Sequence, residues 1–323
     1  MELPVLWEYA NLYLNGIPTY RLRMSKTGIW PKEVLRLYQE ALDSVPRPEP
    51  KSISLSIWNE ETACNHKYRQ VIESLKRQFS GLSGTLILMG SLADETATGY
   101  SDLDAAYFPP DDEFVESFGK IRQALRKAAR VILSFDHLQH HGVFVIPKST
   151  TRICSPLPPS AFHKARVLQG EKELILGTWE TSWKANLKPI INKCITLAEN
   201  PEQRPRNLYG IKLFLSQIML LPSLFLLARE QDVPKAESFG IIKGMFREDC
   251  GALDVATELR ASWKRLRSRF FEIGVKTWPS PWDFAFAFRR FFRPPWKIIA
   301  VLNDGFYGDA GRLARRMKDA LDI

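Results

Sequence analysis

Leu86-Ile-Leu-Met-Gly-Ser-Leu-Ala-Asp-Glu-Thr-Ala-Thr-Gly-Tyr-Ser-Asp-Leu-Asp-Ala-Ala-Tyr-Phe108 is the stretch that decides how this chain folds. Thr85–Met89 is apolar without polar alternation and predicts a buried strand. It runs into Gly90-Ser91, and nine residues further on Ser101-Asp102-Leu103-Asp104 leads into a second strand over 103–108, stopped by Pro109-Pro110. Side chains at i and i+2 of a strand share a face, roughly 6.5–7 Å apart. Asp102 and Asp104 therefore point the same way, with Leu103 turned into the core. Two carboxylates on one face beside a glycine turn make a hard-cation site suited to Mg²⁺. Gly90 would let a phosphate approach the backbone, and the Ser91 hydroxyl could donate to a phosphate oxygen.

Working outward, residues 113–133 read as an amphipathic helix, with Phe114, Phe118, Ile121, Leu125 and Ile132 at 3–4 spacing. Residues 60–79 read as a helix before Ser80-Gly81, and 143–146 as a third apolar strand before Pro147. Near the start, residues 31–43 carry Val34, Leu35, Tyr38 and Leu42 at helical spacing, and residues 46–51 form a Pro-broken linker. From about residue 160 the pattern turns mostly helical, over 181–199, 205–230, 235–248, 252–273, 281–292 and 309–321. The expected architecture is α+β. An N-terminal helical extension (1–50) precedes a core with a small mixed sheet and flanking helices (51–160), and an all-α domain (161–323) follows. No internal repeat or low-complexity segment is visible.

The central stretch resembles the nucleotidyltransferase superfamily related to DNA polymerase beta, whose mark is a Gly-Ser turn followed about ten residues later by an Asp-x-Asp strand. Gly90 and Ser91 match the turn, Asp102 and Asp104 the metal-binding pair, and Ser101 the serine that often precedes them. The resemblance implies two Mg²⁺ (or Mn²⁺) ions about 3.5–4 Å apart on Asp102 and Asp104. It implies a nucleoside triphosphate substrate such as ATP. A hydroxyl acceptor would attack its α-phosphorus and expel pyrophosphate, with positioned charge doing most of the work.

Active members carry a third carboxylate on the next strand, and here the sequence departs from the pattern. Residues 143–146 hold no acid. Asp136 is the nearby carboxylate and becomes the third ligand or base if the strand begins near Phe135. Otherwise His140 or His141 fills the role, or the site is degraded. His137 and His141 would share a helix face at i, i+4, a spacing zinc can use, but a third ligand is not obvious. Histidines packed at a helix-to-strand turn are the bland alternative.

In several branches of the superfamily a second-domain lysine and a Ser-aromatic pair contact the nucleotide. Tyr209-Gly-Ile-Lys212 and Lys235-Ala-Glu-Ser-Phe239 look loosely like these, which makes Lys212 and Ser238 nucleotide-binding candidates, with Arg206 a weaker one. Lys212 is the one charge in a long apolar helix, and a buried lysine is costly without an anion. It could instead snorkel to the surface. Residues 208–228 approach the length of a membrane span, but Lys212 and Pro222 favour a buried helix of a soluble domain with no membrane span.

Charge divides the chain. Residues 1–203 hold 24 basic and 23 acidic residues, and 204–323 hold 21 and 13. The basic final third could bind nucleic acid or anionic lipid, or present a solvated face. Arg260, Lys264 and Arg267 fall at i, i+4, i+7 of an expected helix, and residues 278–293 interleave aromatics with arginines, a way to hold single-stranded RNA. At 45% hydrophobic and 25% charged, the chain is no disordered tail, collagen-like fibre or disulfide scaffold. Cys64, Cys154, Cys194 and Cys250 show no C-x-x-C pairing, and no signal peptide is legible at the start, so a cytoplasmic setting is expected. The sequence leaves the acceptor open between RNA or tRNA, a protein and a small molecule such as an antibiotic. The rival class is a non-catalytic nucleotide- or RNA-binding module on the same fold.

Overall fold

A computed structural model describes residues 15, 40, 50–59, 66–110, 114, 116–148, 159–177 and 183–323. The helix expected over 31–43, most of the 46–51 linker, Cys64 and Cys154 lie outside the described residues. The structure is α+β, a small mixed sheet with helices followed by a mostly helical region. It divides into two compact units, one comprising the described residues within Met1–Ala97, Ser101–Trp179 and Leu266–Phe288, the other Thr98–Tyr100, Glu180–Arg265 and Arg289–Ile323.

In the first unit the strands are β1 (Pro50–Ser54), β2 (Ser56–Ile57), β3 (Thr85–Met89), β4 (Asp104–Phe108), β5 (Phe144–Val145), β6 (Arg166–Gln169) and β7 (Glu173–Gly177). Five of them form a sheet in the order β2-β6-β3-β4-β5, and β1 pairs with β7 in a separate antiparallel ribbon. β3 runs antiparallel to both neighbours, β4 and β6, while β4–β5 and β2–β6 are parallel. All five residues of β3 are buried, as the unbroken apolar run demands of a strand covered on both faces. One face carries Leu86, Leu88, Leu103, Ala105 and Tyr107 against the helices α1 (His66–Phe79) and α3 (Phe118–Phe135). The other carries Ile87, Met89, Ala106 and Phe108 against Phe162, Ile146 and Leu174.

A parallel β4–β5 pair needs a crossover, and α3 provides it, burying Ile121, Leu125, Ala128 and Ile132 on its apolar stripe. α3 begins at Phe118, later than the 113 expected. The expectation that the chain is mostly helical from about 160 is corrected at β6 and β7. Val167 faces one apolar cluster and Leu168 the other, so this four-residue strand is wedged between β2 and β3 and buries both faces. The short helices α9 (Arg269–Thr277) and α10 (Pro281–Phe288) also belong to this unit and pack on α3. Arg126 and Arg130 of α3 donate to carbonyls at the C-terminal end of α9, including Lys276 O and Trp278 O at 3.3 Å and Pro279 O. Between β3 and β4 lies one short helical turn, α2 (Gly90–Ala93).

The second unit is helical, with α4 (Trp183–Glu199), α5 (Leu208–Ile218), α6 (Leu221–Leu227), α7 (Lys235–Met245), α8 (Gly251–Ser262), α11 (Trp296–Val301) and α12 (Asp304–Leu321). α12 lies along α4, close enough that a Cβ on Gly311 would meet Ala198 Cβ at 2.6 Å. The single helix expected over 205–230 is two, because Pro222 at the start of α6 supplies no amide to continue α5. The stretch 208–227 is long and apolar enough to cross a membrane by composition, yet most of it is buried.

The helix expected over 252–273 is also two. α8 stops at Ser262, so Arg260, Lys264 and Arg267 do not share a helix face. Much of the aromatic-arginine stretch is core. Trp282 and Phe284 are buried, Phe284 stacks on Phe288 at 4.4 Å, and Arg289, 1% exposed, lies 3.5 Å from the Tyr209 ring centroid. Phe291 and Trp296 remain exposed.

Candidate functional site

The site grows from the junction of β3 and β4. The two strands pair with Met89 opposite Asp104, so the residue after β3, Gly90, lies beside the first residue of β4. Gly90 has φ +63°, the left-handed region that glycine reaches without a Cβ clash. A Cβ built there would meet Asp104 Oδ2 at 2.5 Å. The turn thus needs glycine for its backbone angle and for the carboxylate beside it. Ser91 is half-buried next to it. Arg166 on β6 holds the end of α2, its Nε donating to Ala93 O at 3.4 Å.

Burial alternates through Ser101, Asp102, Leu103 and Asp104, with the serine and leucine buried and both aspartates half-buried. Leu103 is fully enclosed in the apolar cluster under α1 and α3, with a half-buried carboxylate on either side of it. Gln139, itself fully buried, pins this segment. Its Oε1 accepts from Leu103 N at 2.8 Å and its Nε2 donates to Leu103 O at 3.0 Å.

The third component is the loop after α3. No strand begins near Phe135. α3 runs through it, and Asp136 is the helix C-cap, its backbone N–H donating to Ile132 O. The Asp136 carboxylate is buried and its Oδ1 accepts from Leu138 N at 3.2 Å, which closes a tight turn. The strand expected to begin near Phe135 and to make Asp136 the third ligand is not formed, because α3 continues to that point. Two histidines of the following loop lie against the aspartates. His141 Nε2 lies 3.0 Å from Asp104 Oδ1, and His140 Nδ1 lies 3.6 Å from Asp102 Oδ2. One ligand atom each from Asp102, His140 and His141 lies within 4.8 Å of the others.

His137 is elsewhere. Residues 136–143 are not helical, so His137 and His141 do not share a helix face. His137 is buried, stacked 4.7 Å from Phe271, with Nε2 3.8 Å from Glu272. The zinc pair considered from spacing is therefore not formed.

His141 is held from several sides. Its Nδ1 lies 3.0 Å from Gly142 O, and its ring stacks on Phe144 at 5.0 Å. Burial works against the charged ring. The hydrogen bond and charge of Asp104, the charge of Asp102 and the Gly142 carbonyl together outweigh it and raise the His141 pKa to about 9.

The donors present suit a divalent cation: two carboxylates, Asp102 and Asp104, and two imidazoles converge on one patch of the first unit. Of the other candidates, Ser101 is buried beside Asp102. Lys212 and Ser238 belong to the helical unit. Lys212 does not snorkel. It is 1% exposed, with Nζ 5.2 Å from the Tyr100 ring centroid, and Tyr100 in turn donates to Lys212 O at 2.7 Å. Ser238 donates to Lys235 O at 2.7 Å within its own helix. The residue that the sequence reading missed is Gln139, because a side-chain amide pairing with backbone leaves no spacing motif. Comparison with protein-family models, curated proteins and solved structures returned no match.

Proposed function

We propose that this protein is a divalent-cation-dependent nucleotidyltransferase that moves a nucleoside monophosphate from a nucleoside triphosphate to a hydroxyl acceptor. The observation that supports it best is the registration of Gly90 on Asp104, a Cβ-less turn at φ +63° backed directly against the second of two same-face carboxylates. A core strand needs neither the left-handed glycine nor half-buried acids at its edge. A phosphate bound to a cation uses both.

In this reading Asp102 and Asp104 hold the cation, Mg²⁺ or Mn²⁺, and the turn at Gly90 admits the triphosphate, with Ser91 as a hydroxyl donor. The cation would supply charge stabilisation at the transferring phosphoryl group and acidify the acceptor hydroxyl. The acceptor oxygen forms a bond to the α-phosphorus as the bond to pyrophosphate breaks, and its proton passes to water, while His141 Nε2, 3.0 Å from Asp104 Oδ1, holds that carboxylate in place. Gln139 keeps the two carboxylates in register by fixing Leu103 between them. RNA, tRNA included, is the acceptor class favoured by the basic excess of residues 204–323 and by exposed Phe291 and Trp296. Cys194 and Cys250 are buried free thiols, which fits the cytoplasm.

The test is pyrophosphate release from each of the four ribonucleoside triphosphates with Mg²⁺ or Mn²⁺ and total RNA or tRNA. The reading expects release with at least one nucleotide, dependent on cation and acceptor. Nucleotide binding without release under every combination would replace the enzyme with a binding module.

A further inference from the structure

We propose that Asp102, His140 and His141 form a nitrogen-ligated cation site that selects a transition ion of the Mn²⁺, Co²⁺ or Zn²⁺ kind over Mg²⁺. The inference concerns the same pocket as the transferase reading and rests on it for Asp102 as a cation ligand. The ligand chemistry and the selectivity are new.

Three observations carry it. First, the geometry gathers mixed donors, since one atom from each of the three residues falls within 4.8 Å of the others. Second, the two rings are arranged to converge. Neighbours in a regular strand would point to opposite faces. Here residues 139–143 are irregular, and the His140 and His141 rings stand at 87° with centroids 4.8 Å apart on the same aspartate pair. Third, the orientation of His141 is fixed from outside. Its Nδ1 lies 3.0 Å from Gly142 O, its ring stacks on Phe144 at 5.0 Å, and its Nε2 faces Asp104 Oδ1 at 3.0 Å, so an ion that displaces the Nε2 proton meets a nitrogen already aimed at the aspartates.

Ligand type then sets the ion. Mg²⁺ demands oxygen in near-octahedral geometry and gives up water reluctantly, whereas imidazole suits the later divalent ions. Two imidazoles and one carboxylate resemble the donor set of a transition-ion centre more than that of a carboxylate-only magnesium site. Asp104 Oδ1, 3.0 Å from the same His141 Nε2, places a second carboxylate beside the ion.

The experiment uses the full chain stripped with EDTA and no nucleotide, titrated separately with CoCl₂, MnCl₂ and MgCl₂ by calorimetry. Visible absorption follows Co²⁺, since nitrogen ligation gives d–d bands that Mg²⁺ cannot mimic. The expected result is one Co²⁺ per chain, bound at least about 100-fold tighter than Mg²⁺. His140→Ala and His141→Ala should each weaken Co²⁺ at least about tenfold and weaken Mg²⁺ much less. Circular dichroism checks each variant. His140 is the more exposed of the two, so its variant remains informative if His141→Ala unfolds. Equal Co²⁺ and Mg²⁺ affinities, or Co²⁺ binding indifferent to both substitutions, would overturn the proposal. Equal affinities with Mg²⁺-dependent pyrophosphate release intact sink this inference alone. Histidine-dependent Co²⁺ binding without transfer to any acceptor supports it and sinks the transferase reading alone.

Discussion

The side-chain amide of Gln139 pairs with both backbone groups of Leu103, taking its N–H at 2.8 Å and its carbonyl at 3.0 Å, so a side chain does here what a neighbouring strand does elsewhere. Leu103 sits between the two aspartates, and this one residue sets where both carboxylates stand. Gln139→Leu leaves the Leu103 N–H and C=O buried without that partner, at a cost of about 1–3 kcal/mol for each group. Urea denaturation should show the loss, and cation affinity should fall with it. A variant as stable as the parent with unchanged cation affinity would show that Gln139 does not position the aspartates.

Gly90→Ala separates site from fold. The left-handed angle costs an alanine roughly 1–2 kcal/mol, and its Cβ displaces Asp104 Oδ2, which it would meet at 2.5 Å. Cation and nucleotide affinity should drop by about tenfold or more, since each 1.4 kcal/mol is a factor of ten. Isothermal titration measures this directly, and unchanged affinity would detach Gly90 from the site.

The His141–Asp104 contact should make the cation-free protein pH-sensitive. The folded His141 titrates near 9, above the roughly 6.5 of an unfolded histidine. The stabilisation is therefore fully present below about pH 6.5 and is lost as pH rises through 9. Denaturant midpoints in EDTA at pH 6 and pH 9.5 should differ more for the parent than for His141→Gln. Identical pH dependence in the two would contradict the pairing.

Cys194 is wholly enclosed in α4, and burial pushes its thiol up to about 12. Alkylation by iodoacetamide at pH 8 followed by mass mapping should leave Cys194 unmodified in the native protein and modify it in denaturant. Rapid native labelling would mean that α4 opens locally.

Much of the framework was legible in the residues. Thr85–Met89 reads as a buried strand because no polar side chain interrupts it, and the structure returns those bounds. The same-face placement of Asp102 and Asp104 follows from strand periodicity, and the burial alternation agrees. Other features follow from contacts that no local pattern records. β6 is four residues long, and its apolar centre suits a strand only because β2 and β3 flank it. The break after α8 had a signal in Ser268, whose hydroxyl accepts from Phe271 N and caps α9, but the apolar spacing across it favoured one helix. Asp136 was the nearest acid to an expected strand, and α3 ran on to meet it. Gln139 and the histidine pair reach the aspartates through an irregular loop, where neither the helical nor the strand period applies.

The central claim is that Asp102 and Asp104 serve phosphoryl transfer. The direct measurement incubates the parent and Asp104→Asn with each α-³²P-labelled nucleoside triphosphate, Mn²⁺ or Mg²⁺, and tRNA. The account predicts label on the acceptor with the parent and a rate at least about a thousandfold lower with Asp104→Asn, roughly 4 kcal/mol in the barrier, at unchanged circular dichroism. Equal labelling by both proteins, or no labelled acceptor from the parent with any nucleotide, would contradict it.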